Sequence, residues 1–431
     1  GGLGVAVVLR YTLRLLTLDQ LGRAATLICA LERLRSTRRE RLGEQRFAVG
    51  LWVGKSATAN TLREIAEQSE LFRTGRTKDW PAPLTACPWC GTKLEAASLD
   101  LRPTSERPRE LVLGCVSQDC DFCVAQDPRG LPVVFVDEQI YAELPAFLVA
   151  TVDKFAMLPW RGETGRLFGR VDDELGGKLD LRPPELVVQD ELHLISGPLG
   201  TMVGLYETAL DWLASELREQ GSGSERTLSI GARPKIIAAT ATVKRASEQI
   251  RALFGRHDVR QFPPAGLDDQ DTWFSAIDPK PDKARMYVGV AAPGRSMKAI
   301  LLRTYAALLG AAWHELDRAG PPDQAGDAYA TLVGYFNALR ELGGMRRLVD
   351  DDVSTRCASA DERRPLDVPG PHAWQRSRTL QRDTAELTSR WSTAHINETK
   401  AKLAQPHAQG QIDVVLASNM ISVGVDIDRL G

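Results

Sequence analysis

The chain has 431 residues, enough for two or three domains that each bury a core, and its 43% apolar and 26% charged content is ordinary for a soluble globular protein. A formal net charge of −2 excludes a bulk field that attracts polyanions, so nucleic-acid binding has to come from local basic clusters. No uninterrupted apolar stretch could span a bilayer and no secretory signal is visible. A cytoplasmic protein without membrane association is therefore expected, and there the seven cysteines are not expected to form disulfides.

In chain order, Val5 to Leu9 predicts a strand. Leu18, Leu21, Ala25, Ile28, Leu31 and Leu34 then recur at helical spacing, in a helix that ends in the basic Arg38 to Arg41 and holds Cys29 in its core face. The Arg-rich end from Arg33 reads as solvated. Phe47 to Trp52 predicts a strand and Thr61 to Leu71 a helix. From about residue 75 to 130 Pro, Cys and turn residues dominate, which marks an inserted module. Strands are expected at Phe147 to Ala150, Leu186 to Val188 and Ile236 to Ala238, with a helix from Thr201 to Arg218. Trp160 is expected to pack against its domain, with stacking on a base as the alternative.

The Pro- and Asp-rich stretch 256–284 lacks periodicity and reads as a linker. A second α/β unit is expected over 285–431. It would open with a strand at Arg285 to Val290, continue with a long helix from Ser296 to Arg318 and a strand at Thr331 to Phe336, and end with Val414 to Leu416. Residues 350–380, polar and Pro-containing, are expected on the surface, and Cys357 carries no assignment.

Two constellations carry chemistry. The apolar run Leu186-Val187-Val188 leads into Asp190-Glu191-Leu192-His193. Two adjacent carboxylates at the carboxyl end of a buried strand stand where α/β folds take their ligands. There an NTPase needs one carboxylate to hold Mg²⁺ and another to activate water. The second constellation is Cys87-Pro88-Trp89-Cys90-Gly91 followed by Cys115, Cys120 and Cys123. A CxxC turn with a second cysteine pair about 25 residues on points to a structural Zn²⁺ held by four thiolates. The preferred set is Cys87, Cys90, Cys115 and Cys120, with Cys123 as the alternate to Cys120. No His or carboxylate shares the spacing, so a catalytic zinc is not expected. The zinc would staple an insertion too small for a core of its own.

One tempting motif is rejected. Gly50-Leu51-Trp52-Val53-Gly54-Lys55-Ser56 resembles a phosphate loop, but that pattern needs four residues between its glycines and here there are three.

A strand leading into DELH, a strand leading into Thr240-Ala241-Thr242, and a strand leading into Ser418-Asn419-Met420-Ile421-Ser422-Val423-Gly424-Val425-Asp426 follow one another in this order. They resemble motifs II, III and V of superfamily 2 helicases, which use two RecA-like domains that close on ATP and walk along nucleic acid. Arg10-Tyr11-Thr12-Leu13-Arg14 is similar to motif Ia and Thr151-Val152-Asp153-Lys154 to motif Ib. The segments RYTLRLLTLDQ, GLWVG, TVDKFAMLPW, DELHLISGPLG, ELTSR and SNMISVGVDIDRLG, with the cysteine module, resemble more specifically the DrmA family, the helicase-like component of the DISARM phage-defence system.

The resemblance implies an α/β fold of two RecA-like domains, parallel sheets flanked by helices. The first would span residues 1–255, interrupted by the zinc insertion at 75–130, and the second 285–431. It implies that Asp190 holds Mg²⁺, Glu191 polarises the attacking water, and His193 couples the nucleotide site to the nucleic-acid site or the second domain. Thr240 and Thr242 would relay hydrolysis, and Gly424 and Asp426 would touch ATP and the tracking strand. Arg10, Thr12, Arg14, Thr151, Asp153, Lys154 and Asn419 would hold nucleic acid. Implied cofactors are ATP, Mg²⁺ and Zn²⁺; implied partners are DNA, single-stranded or at a duplex end, and the DISARM component DrmB.

Both chain ends read as those of a fragment, with the phosphate loop expected before Gly1 and the arginine-bearing motif VI beyond Gly431. The 431 residues alone are therefore expected not to hydrolyse ATP. Two other readings stay open: a non-catalytic DNA-binding scaffold with a degenerate motor fold, and a zinc-containing RNA helicase.

Overall fold

The computed structural model describes residues 4–12, 14–55, 57–170, 181–220, 227–240, 246–264, 267, 271–272, 274, 275–277, 286–319, 324–363, 376–381, 384–388, 390–391, 393–410, 412–418, 427 and 429–430. The chain divides into two compact units, Gly1–Asp258 and Val259–Gly431. Both are α/β with parallel sheets.

The strands of the first unit are β1 (Val7–Tyr11), β2 (Val49–Trp52), β3 (Leu99–Arg102), β4 (Glu110–Leu113), β5 (Val133–Val134), β6 (Phe147–Thr151), β7 (Leu186–Gln189), β8 (Leu217–Gln220), β9 (Thr227–Ile230) and β10 (Lys235–Ala238). Six form one sheet in the order β10-β7-β1-β6-β2-β5, and every neighbouring pair is parallel. Parallel strands need crossovers and read as largely apolar runs; β2 and β6 are the most deeply buried here, while β7 and β10 are partly exposed. The helices Arg14–Thr37, Leu62–Arg73, Asp137–Glu143, Gly197–Leu213 and Ala246–Phe254 accompany this sheet.

Fully buried Trp52 sits in the main core of this unit. Its ring meets Tyr141 and Phe155 edge-on, and its indole N–H donates to the Tyr141 hydroxyl at 2.9 Å. Gly50 lies beside it because a Cβ there would come within 2.5 Å of the Pro145 ring. The first three residues of the rejected phosphate-loop segment, Gly50 to Trp52, therefore belong to a buried strand. The segment's Lys55 reaches Glu64 at 2.6 Å, the residue that closes the capping box with Thr61 at the start of the Leu62–Arg73 helix.

In the second unit, β11 (Asp271–Thr272) and β12 (Ser275–Ala276) form a small antiparallel hairpin. β13 (Leu332–Tyr335), β14 (Ala385–Leu387) and β15 (Val414–Ala417) form a parallel sheet in the order β13-β15-β14. The Met297–Ala319 and Leu339–Arg347 helices help to bury Leu309, Leu342, Val414 and Leu416.

Four expectations are corrected. The helix expected from Thr201 starts at Gly197, with Pro198 in its first turn, and ends at Leu213; Leu217 and Arg218 belong to β8. Residues 286–290 are not a strand. Met286 and Tyr287 are 85% exposed, since apolar content makes no strand without a neighbour to complete its hydrogen bonds. Residues 350–363 are helical rather than a loose excursion. Val349, Val353 and Cys357 recur every four residues and are buried in the core while the intervening aspartates face outward. Trp160 does not pack against its domain: it is 81% exposed.

Candidate functional site

Strand order decides what gathers at the carboxyl edge of the first sheet. β7 lies between β10 and β1, so the DELH turn emerges between Tyr11 and Thr240. The Asp190 N–H donates to the Arg10 carbonyl at 3.0 Å, the Ala239 N–H to the Gln189 carbonyl at 2.9 Å, and the Leu192 N–H to the Ala239 carbonyl at 3.0 Å. Buried Leu192 anchors the turn in a small core with Val152, Ile195 and Phe254. Gln249 braces it from the next helix, donating to the carbonyls of Leu192 at 3.2 Å and Ile195 at 3.0 Å.

Glu191 adopts φ 50°, the left-handed region that residues other than glycine seldom enter. Such a backbone costs on the order of 1–3 kcal/mol and persists only where its surroundings impose it. Here the Asp190 carboxylate accepts the Glu191 N–H at 2.9 Å. The turn brings the Glu191 carboxylate to 3.2 Å from His193 Nδ1, and the same nitrogen lies 3.2 Å from the Thr240 hydroxyl. Buried Tyr11 bonds to Asp190 through its phenol. Burial first, then the Asp190 charge and hydrogen bond, then Glu191, all push that phenol well above the ordinary tyrosine range. Beside His193, the glycine face of the Gly197–Leu213 helix and Gln249 line an open cleft of about 640 Å³.

The structure thus brings Asp190, Glu191, His193 and Thr240 together. It gives Arg10 and Lys154 work that sequence does not reveal. Arg10 is 1% exposed, ion-paired to buried Glu207, and its guanidinium lies 5.5 Å and 5.8 Å from the ring centres of Phe155 and Phe254. Burial raises the Glu207 carboxyl above its usual range even against that pair. Lys154 is 8% exposed and donates to Asp137 at 2.6 Å, the Val53 carbonyl at 3.0 Å and Asn60 at 3.4 Å. Both cations are thus buried against protein partners in this structure.

Thr12 and Thr151, at the ends of adjacent strands, have buried hydroxyls with no partner among the described residues, while Asp153 is exposed. Arg14 opens the Arg14–Thr37 helix. Thr242, Asn419, Gly424 and Asp426 lie outside the described residues. Sequence reading missed Tyr11, Gln249, Glu207 and Asp137. Tyr11 was in view inside the Arg10-to-Arg14 motif; the other three carry no local signal.

The cysteine module forms a second centre. The sulfurs of Cys87, Cys90, Cys115 and Cys120 all lie within 4.8 Å of one another, with Cys90 to Cys115 at 3.5 Å and Cys87 to Cys120 at 3.9 Å. Four thiolates 2.3 Å from one centre would stand about 3.8 Å apart, so the set fits a tetrahedral zinc. Gly91, at φ 77°, supplies the left-handed residue that closes the first turn. Cys123 pairs by backbone with Cys115, yet its sulfur is not one of the four. The module docks on the Arg14–Thr37 helix: Thr26 donates to the Pro88 carbonyl at 3.0 Å, and Arg33 pairs with Asp121 at 3.1 Å. No helix among the described residues is long and apolar enough to cross a membrane.

No protein-family model matches the chain. The DISARM protein DrmA of Bacillus paralicheniformis is 39% identical to it over 459 aligned residues. The alignment takes in 99% of this chain and 39% of the relative, so the chain spans about two-fifths of the length of the curated protein it matches. With that identity sustained along nearly all its residues, the chain is a DrmA-like protein.

Proposed function

We propose that this chain carries the hydrolytic carboxylates of a nucleic-acid-dependent ATPase of superfamily 2, a DNA translocase acting in a DISARM anti-phage system. The observation that carries the reading is the contact chain Glu191–His193–Thr240 beside Asp190 at the carboxyl edge of a parallel sheet. The two compact units are read as RecA-like lobes, the first interrupted by the zinc module. Asp190 fits a Mg²⁺ ligand: Tyr11 and the Glu191 N–H fix its carboxylate, and one carboxylate with substrate phosphates is a common Mg²⁺ donor set. Mg²⁺, when bound, neutralises charge on the transferring phosphoryl group.

Glu191, held away from the strand axis by its left-handed backbone, accepts the proton of the attacking water. His193 bridges that base to Thr240, so a change at one is felt at the next strand, and Thr242 continues the relay. Thr12, Thr151 and Asp153 from the first unit and Asn419, Gly424 and Asp426 from the second complete the proposed nucleic-acid and nucleotide contacts; Arg10 and Lys154 are withdrawn from them. Cys87, Cys90, Cys115 and Cys120 would hold a structural Zn²⁺. DISARM membership brings a protein partner, DrmB.

The test is ATP hydrolysis by the native protein with and without single-stranded DNA. Glu191→Gln keeps the shape of the site but removes the base, and a loss of about 10²–10⁴-fold is expected with nucleotide binding retained. Hydrolysis undiminished by Glu191→Gln would sink the assignment. The 431 residues alone are expected to be inactive, so the assay takes them within the full-length protein; no hydrolysis by that protein would favour the scaffold.

A further inference from the structure

At the carboxyl end of β14 the chain passes through Thr388, Arg390 and Trp391 before entering the Thr393–Ala404 helix. Buried Glu386 organises this corner. Arg390 donates to it from Nη2 at 2.6 and 2.7 Å and from Nε at 2.9 Å, the Thr388 hydroxyl donates at 2.6 Å, and Arg346 donates at 3.3 Å. The Trp391 indole is also hydrogen-bonded to Glu386. His395 stacks on Trp391 with ring centres 4.2 Å apart and planes 25° from parallel. The indole is thus pinned at its edge and backed by an imidazole, yet Trp391 stays 40% exposed and the Arg390 side chain 47% exposed.

We propose that Trp391 is a stacking platform for a base of single-stranded nucleic acid, with Arg390 receiving the adjoining phosphate. A fixed aromatic face beside a guanidinium matches the two surfaces every nucleotide offers, a π face and an anion. The bonds to Glu386 occupy the Nε and Nη2 of Arg390; none among the described residues uses Nη1, which keeps hydrogen-bonding capacity for a phosphate oxygen. Location agrees, because parallel α/β sheets take ligands at the carboxyl ends of their strands. Arg346 and Arg390 bring two guanidiniums to this corner, held there by the carboxylates of Glu386 and Asp350. The inference rests on the nucleic-acid reading above and adds a site to it.

The experiment measures fluorescence anisotropy of a labelled thymidine oligonucleotide with the 431-residue chain and its variants. Trp391→Ala is expected to weaken binding about 5- to 150-fold, the range for one lost base stack, while Trp391→Phe stays close to the unaltered chain. Equal affinity of Trp391→Ala overturns the platform and leaves the nucleic-acid reading standing; no binding by the unaltered chain overturns both. Photocrosslinking of a 5-bromodeoxyuridine oligonucleotide to the unaltered chain decides independently of variant folding. An adduct on the peptide containing Trp391 supports the platform, and adducts confined to other peptides overturn it.

Discussion

Lys154→Met separates a structural from a nucleic-acid role at a position where sequence resemblance and structure disagree. The substitution keeps much of the side-chain volume but removes the ammonium that satisfies Asp137 at 2.6 Å, the Val53 carbonyl at 3.0 Å and Asn60. Asp137 is left buried without its countercharge. Breaking one side of a buried ion pair costs about 3–5 kcal/mol. For a unit of this size each kcal/mol shifts Tm by about 2–4 °C, so the first unit should melt about 6–20 °C lower. Burial already raises the Asp137 carboxyl above its ordinary value despite the pairing, and loss of Lys154 raises it further. A carboxyl raised in the fold binds its proton more tightly there than in the unfolded chain, so stability falls as pH rises through that interval. The deficit of Lys154→Met should therefore shrink as pH falls toward the ordinary aspartate range. Adding Asp137→Leu removes the stranded charge and should recover most of the loss. Calorimetry across pH, with oligonucleotide binding measured in parallel, is the assay. An unchanged Tm with a large loss of oligonucleotide affinity would refute the reasoning and return Lys154 to the phosphate contacts.

Metal analysis of the purified chain should find one zinc. Cys115→Ser should abolish it, Cys123→Ser should retain it, and chelation should lower the stability of the insertion; retention by Cys115→Ser would displace the assigned ligand set. In the second unit, burial works against ionised Asp413. Even so, His407 at 2.9 Å, the Gln381 N–H at 2.6 Å and Arg378 at 2.5 Å hold its carboxyl below the ordinary 3.8. A depressed carboxyl contributes stability that is present above 3.8 and is lost as pH falls through its folded value. Thermal melts of the second unit should show this acid limb, and Asp413→Asn should flatten it while lowering stability at neutral pH, because Arg378 is then buried unpaired. An acid limb unchanged by the substitution would contradict the assignment.

Much of the candidate site was legible before any fold was known. Continuous apolar runs such as Leu186-Val187-Val188 mark strands of the parallel sheet, although these three residues are only partly buried. Polar residues that follow such a run fall at the sheet's carboxyl edge, so Asp190 and Glu191 could be placed by periodicity alone. The spacing of Cys87, Cys90 and Cys115 likewise pointed to a thiolate centre, but left Cys120 and Cys123 as alternatives until the fold gathered the Cys120 sulfur with the other three. Apolar content misled at residues 286–290, where it was present without a strand, and polarity misled at 350–363, where a helical stripe of Val353 and Cys357 lay hidden among aspartates.

The sequence by itself determined the α/β pattern, the carboxylate pair and the presence of a cysteine centre, while the choice of Cys120 over Cys123 came from the fold. Only the tertiary structure decided which charges are free to meet a ligand. Arg10 finds Glu207 197 positions away, and Lys154 finds its countercharge Asp137 17 positions away and the Val53 carbonyl 101 positions away. Local spacing describes what one segment can offer. Whether a cation faces solvent depends on which distant segment the strand order lays against it, because a buried charge has to be paired wherever its partner lies in the chain.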